Sequence, residues 1–139
     1  MQDRPTIREL LHAVQLFLEQ EVVPSLSGRK QFHARVAANV LAIAQRELAL
    51  CAEQTRKEWH RLACLLQKPV TSPVSLDEVE EQVRAWTDEL CQHIRFAPME
   101  ELLQQVELWE HLATTVKDKL AIANPRLLAM DTAENPTAR

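Results

Sequence analysis

Apolar residues recur along most of this chain at intervals of three and four, the period of an amphipathic α-helix. The first stripe follows a capping box at Thr6–Glu9 and continues to about Val22, after which Pro24 is expected to stop the helix. The pattern therefore predicts a first helix with one apolar face against a core. Its apolar positions are Ile7, Leu10, Leu11, Val14, Phe17 and Leu18.

Two further apolar stripes follow, before the loop that contains Pro69 and Pro73. One predicts a helix over residues 29–50 with its apolar side chains within an arc of about 80°. The other predicts a helix over residues 53–67. Neither Gly nor Pro separates them, so the pattern leaves open whether they are one continuous helix. The inward positions are expected at Phe32, Val36, Val40, Ile43 and Leu50, and then at Trp59, Leu62, Ala63 and Leu66.

The second half of the chain predicts two more helices and a tail. A second capping box, Ser75–Glu78, opens the fourth helix, and the fifth is expected over residues 98–124. Residues 131–139 lack periodicity and are expected to form a flexible tail after a single domain at residues 1–130. The predicted fold is all-α, an up-and-down bundle of about five antiparallel helices.

Composition supports this prediction and excludes several functions. The 139 residues include one glycine, Gly28, where average usage of roughly 7% predicts about ten. Phosphate-binding loops need several glycines, so none is expected. The net charge of −4 carries no basic stripe for nucleic acid, and no apolar run is long enough to span a membrane.

The cysteines and the first residues predict the compartment. Three cysteines without a C-x-x-C pair, and a first segment without a secretory leader, predict reduced thiols in the cytoplasm. We therefore expect a cytoplasmic protein with neither a membrane nor a nucleic-acid partner.

Candidate metal and catalytic motifs do not converge. The E-x-x-H pair Glu9–His12 would need a second such pair to form a di-iron site, and the sequence has none. Two E-x-x-E pairs, at residues 78/81 and 107/110, resemble the magnesium ligands of helical pyrophosphohydrolases. The helical phase of Glu81 and Glu107 turns them away from the apolar stripes, so four carboxylates would not meet. No metal, cofactor or catalytic set is expected, which favours a protein that is not an enzyme.

Polar residues interrupt the apolar arc of the second helix. Asn39, Arg46 and Glu47 fall on or beside this arc, Arg35 lies just outside it, and His33 lies at its edge. Buried polar groups need hydrogen-bond partners. The cluster therefore predicts an interhelical hydrogen-bond network, a small polar pocket, or an interface that an oligomer or a partner completes.

The same segment carries a family resemblance. The sequence Phe32–Ile43 followed by Arg46–Leu48 resembles the signature of a bacterial family of short all-helical proteins of unknown function. Gln2–Thr6, Val22–Pro24 and Leu120–Pro125 are similar to it as well, so the resemblance extends from Met1 to about Leu128. It implies no catalytic residues. It does imply a context, because genes of this family tend to lie beside aminoglycoside-phosphotransferase-like kinases and acyl-CoA dehydrogenases.

The expected function is therefore that of a helical accessory or interaction protein. The resemblance implies a kinase-like or acyl-CoA-dehydrogenase-like partner in hydroxy-acid or acyl-CoA catabolism, and a homodimer is a further expectation. The segment Asp77–Glu110, with ten acidic and two basic residues, offers a docking surface for a basic partner or a second copy. The alternative is a small-ligand-binding protein or minor enzyme with an interhelical polar pocket at Arg35, Asn39, Arg46 and Glu47.

Overall fold

Helices account for nearly all of the chain that the computed structural model describes, which is residues 4–70 and 75–134, with side chains as far as residue 129. No strand occurs within these ranges, so the all-α prediction is confirmed. The antiparallel bundle arrangement stays a prediction. The helices are α1 (Ile7–Phe17), α2 (Gly28–Leu65), α3 (Leu76–Phe96), α4 (Met99–Gln104), α5 (Val106–Ala123) and α6 (Pro125–Glu134).

The chain divides into two compact units. Unit 1 comprises Met1–Leu50 together with Ile122–Asn124, and unit 2 comprises Cys51–Ala121 together with Pro125–Arg139. Helix α2 contributes residues to both. The single domain expected over residues 1–130 stays a prediction, and each unit is described by itself.

The start of α1 agrees with its sequence signal, but its end does not. The Glu9 amide donates to the Thr6 hydroxyl at 3.3 Å, and the Thr6 amide donates to the Glu9 carboxylate at 2.7 Å. Beyond α1 the chain continues through a π-helical turn, Leu18–Val22, and a last α-helical turn, Val23–Ser25. Pro24 therefore does not stop the helix at Val22 as expected. It lies within the last helical turn, where it cannot donate an amide hydrogen bond to the preceding turn, and the helix ends one residue later at Ser25.

Helix α2 runs without a break from Gly28 to Leu65 and so includes both of the segments that the sequence could not separate. It ends where Gln67 adopts a left-handed backbone conformation with φ of 52°. The Lys68 amide then donates to the Ala63 carbonyl at 2.9 Å, which is the Schellman bond that terminates many helices. The segments predicted as the second and third helices are thus one helix.

The region predicted as a single fifth helix is divided at Gln105, whose backbone (φ −83°, ψ 81°) leaves the helical range. The Leu102 carbonyl accepts the Gln105 amide at 3.2 Å and the indole N–H of Trp109 at 3.0 Å. In a continuous helix the Leu102 carbonyl would accept the amide of residue 106, and these two donors take its place. The prediction of one helix over 98–124 is therefore wrong.

The end of the chain also differs from its prediction. Helix α6 extends to Glu134 and so enters the segment that was expected to be a tail. The remaining positions, 135–139, lie outside the described residues.

Unit 2 contains an apolar core. The inward positions predicted for the third stripe are confirmed, since Trp59, Leu62 and Ala63 are buried and Leu66 is half-buried. The Trp59 indole N–H donates to the Gln82 side chain of α3 at 2.7 Å, which satisfies its buried polar atom. Burial of this apolar surface stabilises the unit. The remaining buried apolar side chains of the core are Val79, Leu90, Leu102 and Leu108.

Unit 1 is an antiparallel pairing of α1 and its continuation with the first half of α2. Its single buried side chain among the described residues is Ala38, 3% exposed. Ala34 and Gln45 lie on the same side of α2 as Ala38, about opposite the apolar arc. Side-chain hydrogen bonds join Arg8 to the Leu48 carbonyl (2.8 Å), Gln45 to Gln15 (2.6 Å) and Gln31 to the Val23 carbonyl (3.0 Å).

Both apolar stripes of unit 1 are largely exposed, so the expectation that they face a core within this chain is wrong. Helix α2 has two apolar sides, and its small-residue side is the one that is buried. Periodicity alone identifies an apolar face but not what covers it. The exposed members are Ile7, Leu10, Val14 and Phe17 of α1, and Phe32, Val36 and Val40 of α2.

Candidate functional site

The predicted polar cluster on α2 is not one site in the described part of the chain. No hydrogen bond joins any two of its five members there. His33 is exposed and its ring accepts from Arg29 at 3.2 Å. Arg35, Asn39 and Glu47 are exposed. Exposed polar groups are hydrated, so these three need no buried partner.

Arg46 is the member with a long-range bond. It is half-buried, and its guanidinium Nε donates to the carbonyl oxygen of Ile122 at 2.6 Å. Ile122 lies in the last turn of α5, where carbonyl groups lack intrahelical donors and a cation is favoured. Arg46 therefore caps the end of α5 within unit 1, which is a structural role.

The exposed members of the cluster border an apolar surface. Phe32, Val36 and Val40 lie on the same arc of α2 as Asn39, and Arg35 lies beside it. The arrangement is an apolar strip with a polar edge. The pocket and interface alternatives for this cluster stay predictions.

A cavity of about 800 Å³ lies elsewhere, in unit 2. It is formed by the end of α2, the second half of α3, the break at Gln105 and the first half of α5. Sequence reasoning did not predict it, because its residues are far apart in the chain. The side chains that line it include Leu65, Leu66 and Leu90, and the polar residues His60, Arg61, Cys64, His93, Glu107, Glu110 and His111.

His111 is the buried polar residue of this cavity. The residue is only 5% exposed, and its ring Nδ1 has no hydrogen-bond partner among the residues that the structure describes. Burial lowers the pKa of His111, and the positive charge of Arg61 lowers it further, against a smaller opposing effect of Glu58. The imidazole is therefore neutral near pH 7.

Arg61, which also lines the cavity, is already paired. Its guanidinium lies 3.2 Å from the Asp118 carboxylate and 3.4 Å from the Thr115 hydroxyl. The Thr115 hydroxyl in turn lies within 3.5 Å of the Glu58 carboxylate. The positive charge of Arg61 is thus offset by Asp118, although its Nε is buried and has no partner within residues 4–70 and 75–134.

The E-x-x-E pairs do not form one site. All four carboxylates are exposed; Glu107 and Glu110 line the cavity, whereas Glu78 and Glu81 lie on α3 outside its lining. In residues 4–70 and 75–134, no group of three or more His, Cys, Asp or Glu side chains is placed to hold a metal ion. No helix in these ranges is long and apolar enough to cross a membrane.

These observations define a small all-helical protein with one cored unit, one unit with exposed apolar faces, and a polar cavity. The sequence pattern of the family described as "Domain of unknown function (DUF6285)" matches residues 24–127, and this chain belongs to that family. Searches of curated proteins and of solved structures found no significant match.

Proposed function

We propose that this chain is a non-catalytic helical interaction protein that binds through unit 1, and that a second copy of the chain occupies the apolar stripe of α1. The observation that supports the proposal is the exposure of eight large apolar side chains on a unit that buries one alanine among its described residues. Exposed apolar patches of this kind mark interaction surfaces.

The α1 stripe, defined as Ile7, Leu10, Val14 and Phe17, has the spacing of a helix that pairs with another helix. Its members are 61%, 53%, 50% and 56% exposed. Their steps of three, four and three are those of the a and d positions in a coiled coil. A second α1 carries the same pattern, so two copies are complementary about a two-fold axis.

Charge does not oppose this pairing. The positions that flank the seam of a helix pair often carry the charges that select or reject a partner. Beside this stripe, these positions in α1 and its continuation are Leu11, Ala13, Leu18 and Gln20, none of them charged. Two copies therefore approach without like-charge repulsion at the seam.

The size of the stripe sets the expected affinity. With 11 residues, α1 is roughly 16 Å long. Its stripe buries less than the roughly 800 Å² per partner of a typical stable interface. We therefore expect a reversible dimer in the micromolar range.

The accessory role toward an enzyme is the second part of the proposal and rests on the family resemblance. The strip formed by Phe32, Val36 and Val40 is a separate apolar surface on α2. It has an apolar centre and a polar edge, as protein interfaces have. We assign the kinase-like or acyl-CoA-dehydrogenase-like partner to this strip.

Sedimentation velocity of the full chain tests the dimer. Over about 5–200 µM, which spans the expected micromolar affinity, the wild type should shift from monomer to dimer. Val14→Glu should remain monomeric, because it places a charge in the apolar seam. Leu103→Glu makes the same kind of change at an exposed position of α4 in unit 2 and should still dimerise. Circular dichroism verifies that each variant is folded.

Two results would overturn the dimer. One is a wild type that stays monomeric throughout this range. The other is a folded Val14→Glu variant that dimerises as the wild type does.

Binding of an enzyme is tested separately with purified kinase-like and acyl-CoA-dehydrogenase-like proteins from the same organism. We expect the tagged chain to retain one of them, Val36→Glu to lose it, and Val14→Glu to keep it. Retention of none would remove the accessory role without affecting the dimer.

A further inference from the structure

Unit 2 carries an exposed apolar surface where α3 is followed by α4 and α5. The buried side chains of Leu102 and Leu108 mark the core sides of α4 and α5. Other large apolar side chains lie outside this core, at the end of α3, along α4 and at the start of α5. These side chains, here called the α4 patch, are Phe96, Met99, Leu103 and Val106, which are 79%, 63%, 63% and 61% exposed.

The members of the α4 patch follow one another at steps of three, four and three residues. Met99 and Leu103 are four residues apart and so lie on the same face of α4. Across the break that follows α4, the Leu102 carbonyl accepts both the Gln105 amide and the Trp109 indole N–H, which ties the start of α5 to α4. Exposed apolar patches mark interaction surfaces, and a flexible methionine adapts to the shape of a partner.

Acidic side chains border the α4 patch. Residues 96–110 include four acidic residues and neither Lys nor Arg. Glu100 lies roughly 60° from Leu103 around α4, and Glu110 lies at a similar angle from the first residue of α5. The patch is thus an apolar centre with an acidic edge. All four acidic residues are exposed, and no ion pair within the described ranges includes them: Glu100, Glu101, Glu107 and Glu110.

These charges decide which occupant fits the apolar centre. Exposed carboxylates are hydrated and contribute little affinity by themselves. They do oppose any partner that brings negative charge to the same surface, which disfavours nucleic acid, an anionic membrane and the identical acidic patch of a second copy. The α1 stripe differs, because the positions beside it are uncharged. A partner with apolar side chains flanked by Lys or Arg suits both the centre and the edge.

We propose that the α4 patch binds a basic amphipathic helix of another protein, with the apolar side of that helix on the patch and its Lys or Arg side chains at the acidic edge. An amphipathic helix presents apolar side chains every three or four residues, which is also the spacing of the patch. The patch belongs to unit 2, whereas the surfaces assigned to the dimer and to the enzyme belong to unit 1. The proposal therefore depends on neither of them.

Three fluorescent peptides of about 14 residues, or four helical turns, test the proposal with the full chain. The first consists of leucine and lysine, with leucine at helical spacing. The second has glutamate in place of lysine, and the third has the first composition in an order that forms no apolar face. Fluorescence anisotropy measures binding. The first peptide should bind with micromolar affinity, and the other two should bind at least about tenfold more weakly.

A matched pair of double variants tests the apolar centre. Met99→Gln with Leu103→Gln should weaken binding of the leucine–lysine peptide at least about tenfold, because two apolar side chains no longer leave water on binding. Val116→Gln with Leu127→Gln makes the same kind of change at two exposed positions of unit 2 that have no acidic residue next to them in the sequence. This control should bind as the wild type does. Circular dichroism verifies that each variant is folded.

A second pair tests the acidic edge. Glu100→Gln with Glu110→Gln should weaken binding of the same peptide about fivefold, the effect of losing two solvated charge pairs. Glu80→Gln with Glu81→Gln removes the same two charges from the first half of α3, roughly 22 Å along that helix from Phe96. This control should leave the affinity unchanged.

The proposal is wrong if the leucine–lysine peptide binds no more tightly than its glutamate counterpart, or no more tightly than the peptide without an apolar face. It is also wrong if the two variants of either pair weaken binding equally, since the peptide would then respond to the general surface or to the net charge of the chain. A folded Leu103→Glu variant that no longer self-associates would place a second copy on the patch instead.

Discussion

The indole N–H of Trp109 donates to the carbonyl oxygen of Leu102 at 3.0 Å, across the break between α4 and α5. In an unbroken helix this carbonyl would accept the amide of residue 106. The side chain thus provides a donor where the backbone of α5 no longer does, beside the Gln105 side chain that lines the cavity.

Replacing Trp109 by Phe should lower the free energy of unfolding by about 1 kcal/mol, the typical net contribution of one hydrogen bond. The ring is half exposed, so a phenyl group retains much of its packing. Urea denaturation followed by circular dichroism measures the change. A variant as stable as the wild type would show that water serves the Leu102 carbonyl equally well.

Leu62 should be the most sensitive leucine of the unit 2 core, since its side chain is completely buried. Leu62→Ala is expected to lower the free energy of unfolding by about 2–5 kcal/mol, through lost burial and the cavity left behind. Leu103→Ala is the same change at a position that is 63% exposed, and it should cost less than about 0.5 kcal/mol. Similar losses from both variants would contradict the placement of the core.

The ion pair between Arg61 and Asp118 should contribute more than the surface pair between Lys57 and Glu53. The first pair is mostly buried, whereas the side chains of the second are 63% and 72% exposed. Asp118→Ala is expected to cost about 1–3 kcal/mol, because a largely buried guanidinium loses its charged partner. Glu53→Ala should leave the denaturation midpoint unchanged. Equal midpoints for the two variants would refute the difference.

His111 should make the stability of the protein depend on pH. Burial lowers its pKa in the folded state, so the unfolded chain takes up the proton first as the pH falls. The free energy of unfolding should therefore decrease below about pH 6.5, the ordinary histidine value, and level off below the lowered folded pKa. From about one unit above pH 6.5 upward, this histidine should contribute no pH dependence, because both states are then deprotonated.

Unfolding of the wild type and of His111→Gln between pH 5 and pH 8 measures that contribution. The variant should show a smaller loss of stability on acidification, because glutamine does not titrate. Parallel curves for the two proteins would assign the acid sensitivity to other groups.

Local signals predicted much of the secondary structure. The capping boxes at Thr6 and Ser75 form as expected, because each depends on residues three positions apart. The division at Gln105 was not predicted. Neither Gly nor Pro marks it, and its bond from Trp109 joins residues seven positions apart.

The cavity could not be predicted from the sequence either, because the residues that line it are far apart in the chain. Glu107 and Glu110 form one of the two E-x-x-E pairs of the sequence. That pattern does not indicate His111, whose buried position depends on how α2 and α5 pack.

The sequence by itself determined the helical class of this protein, because helix formation follows from near-neighbour spacing, from capping residues and from the scarcity of glycine. Tertiary structure decided which apolar faces are covered. The stripe around Leu62 is buried, while the equally periodic stripe around Val14 is exposed. Periodicity shows that a helix has an apolar face, but burial depends on contacts with distant parts of the chain or with another molecule.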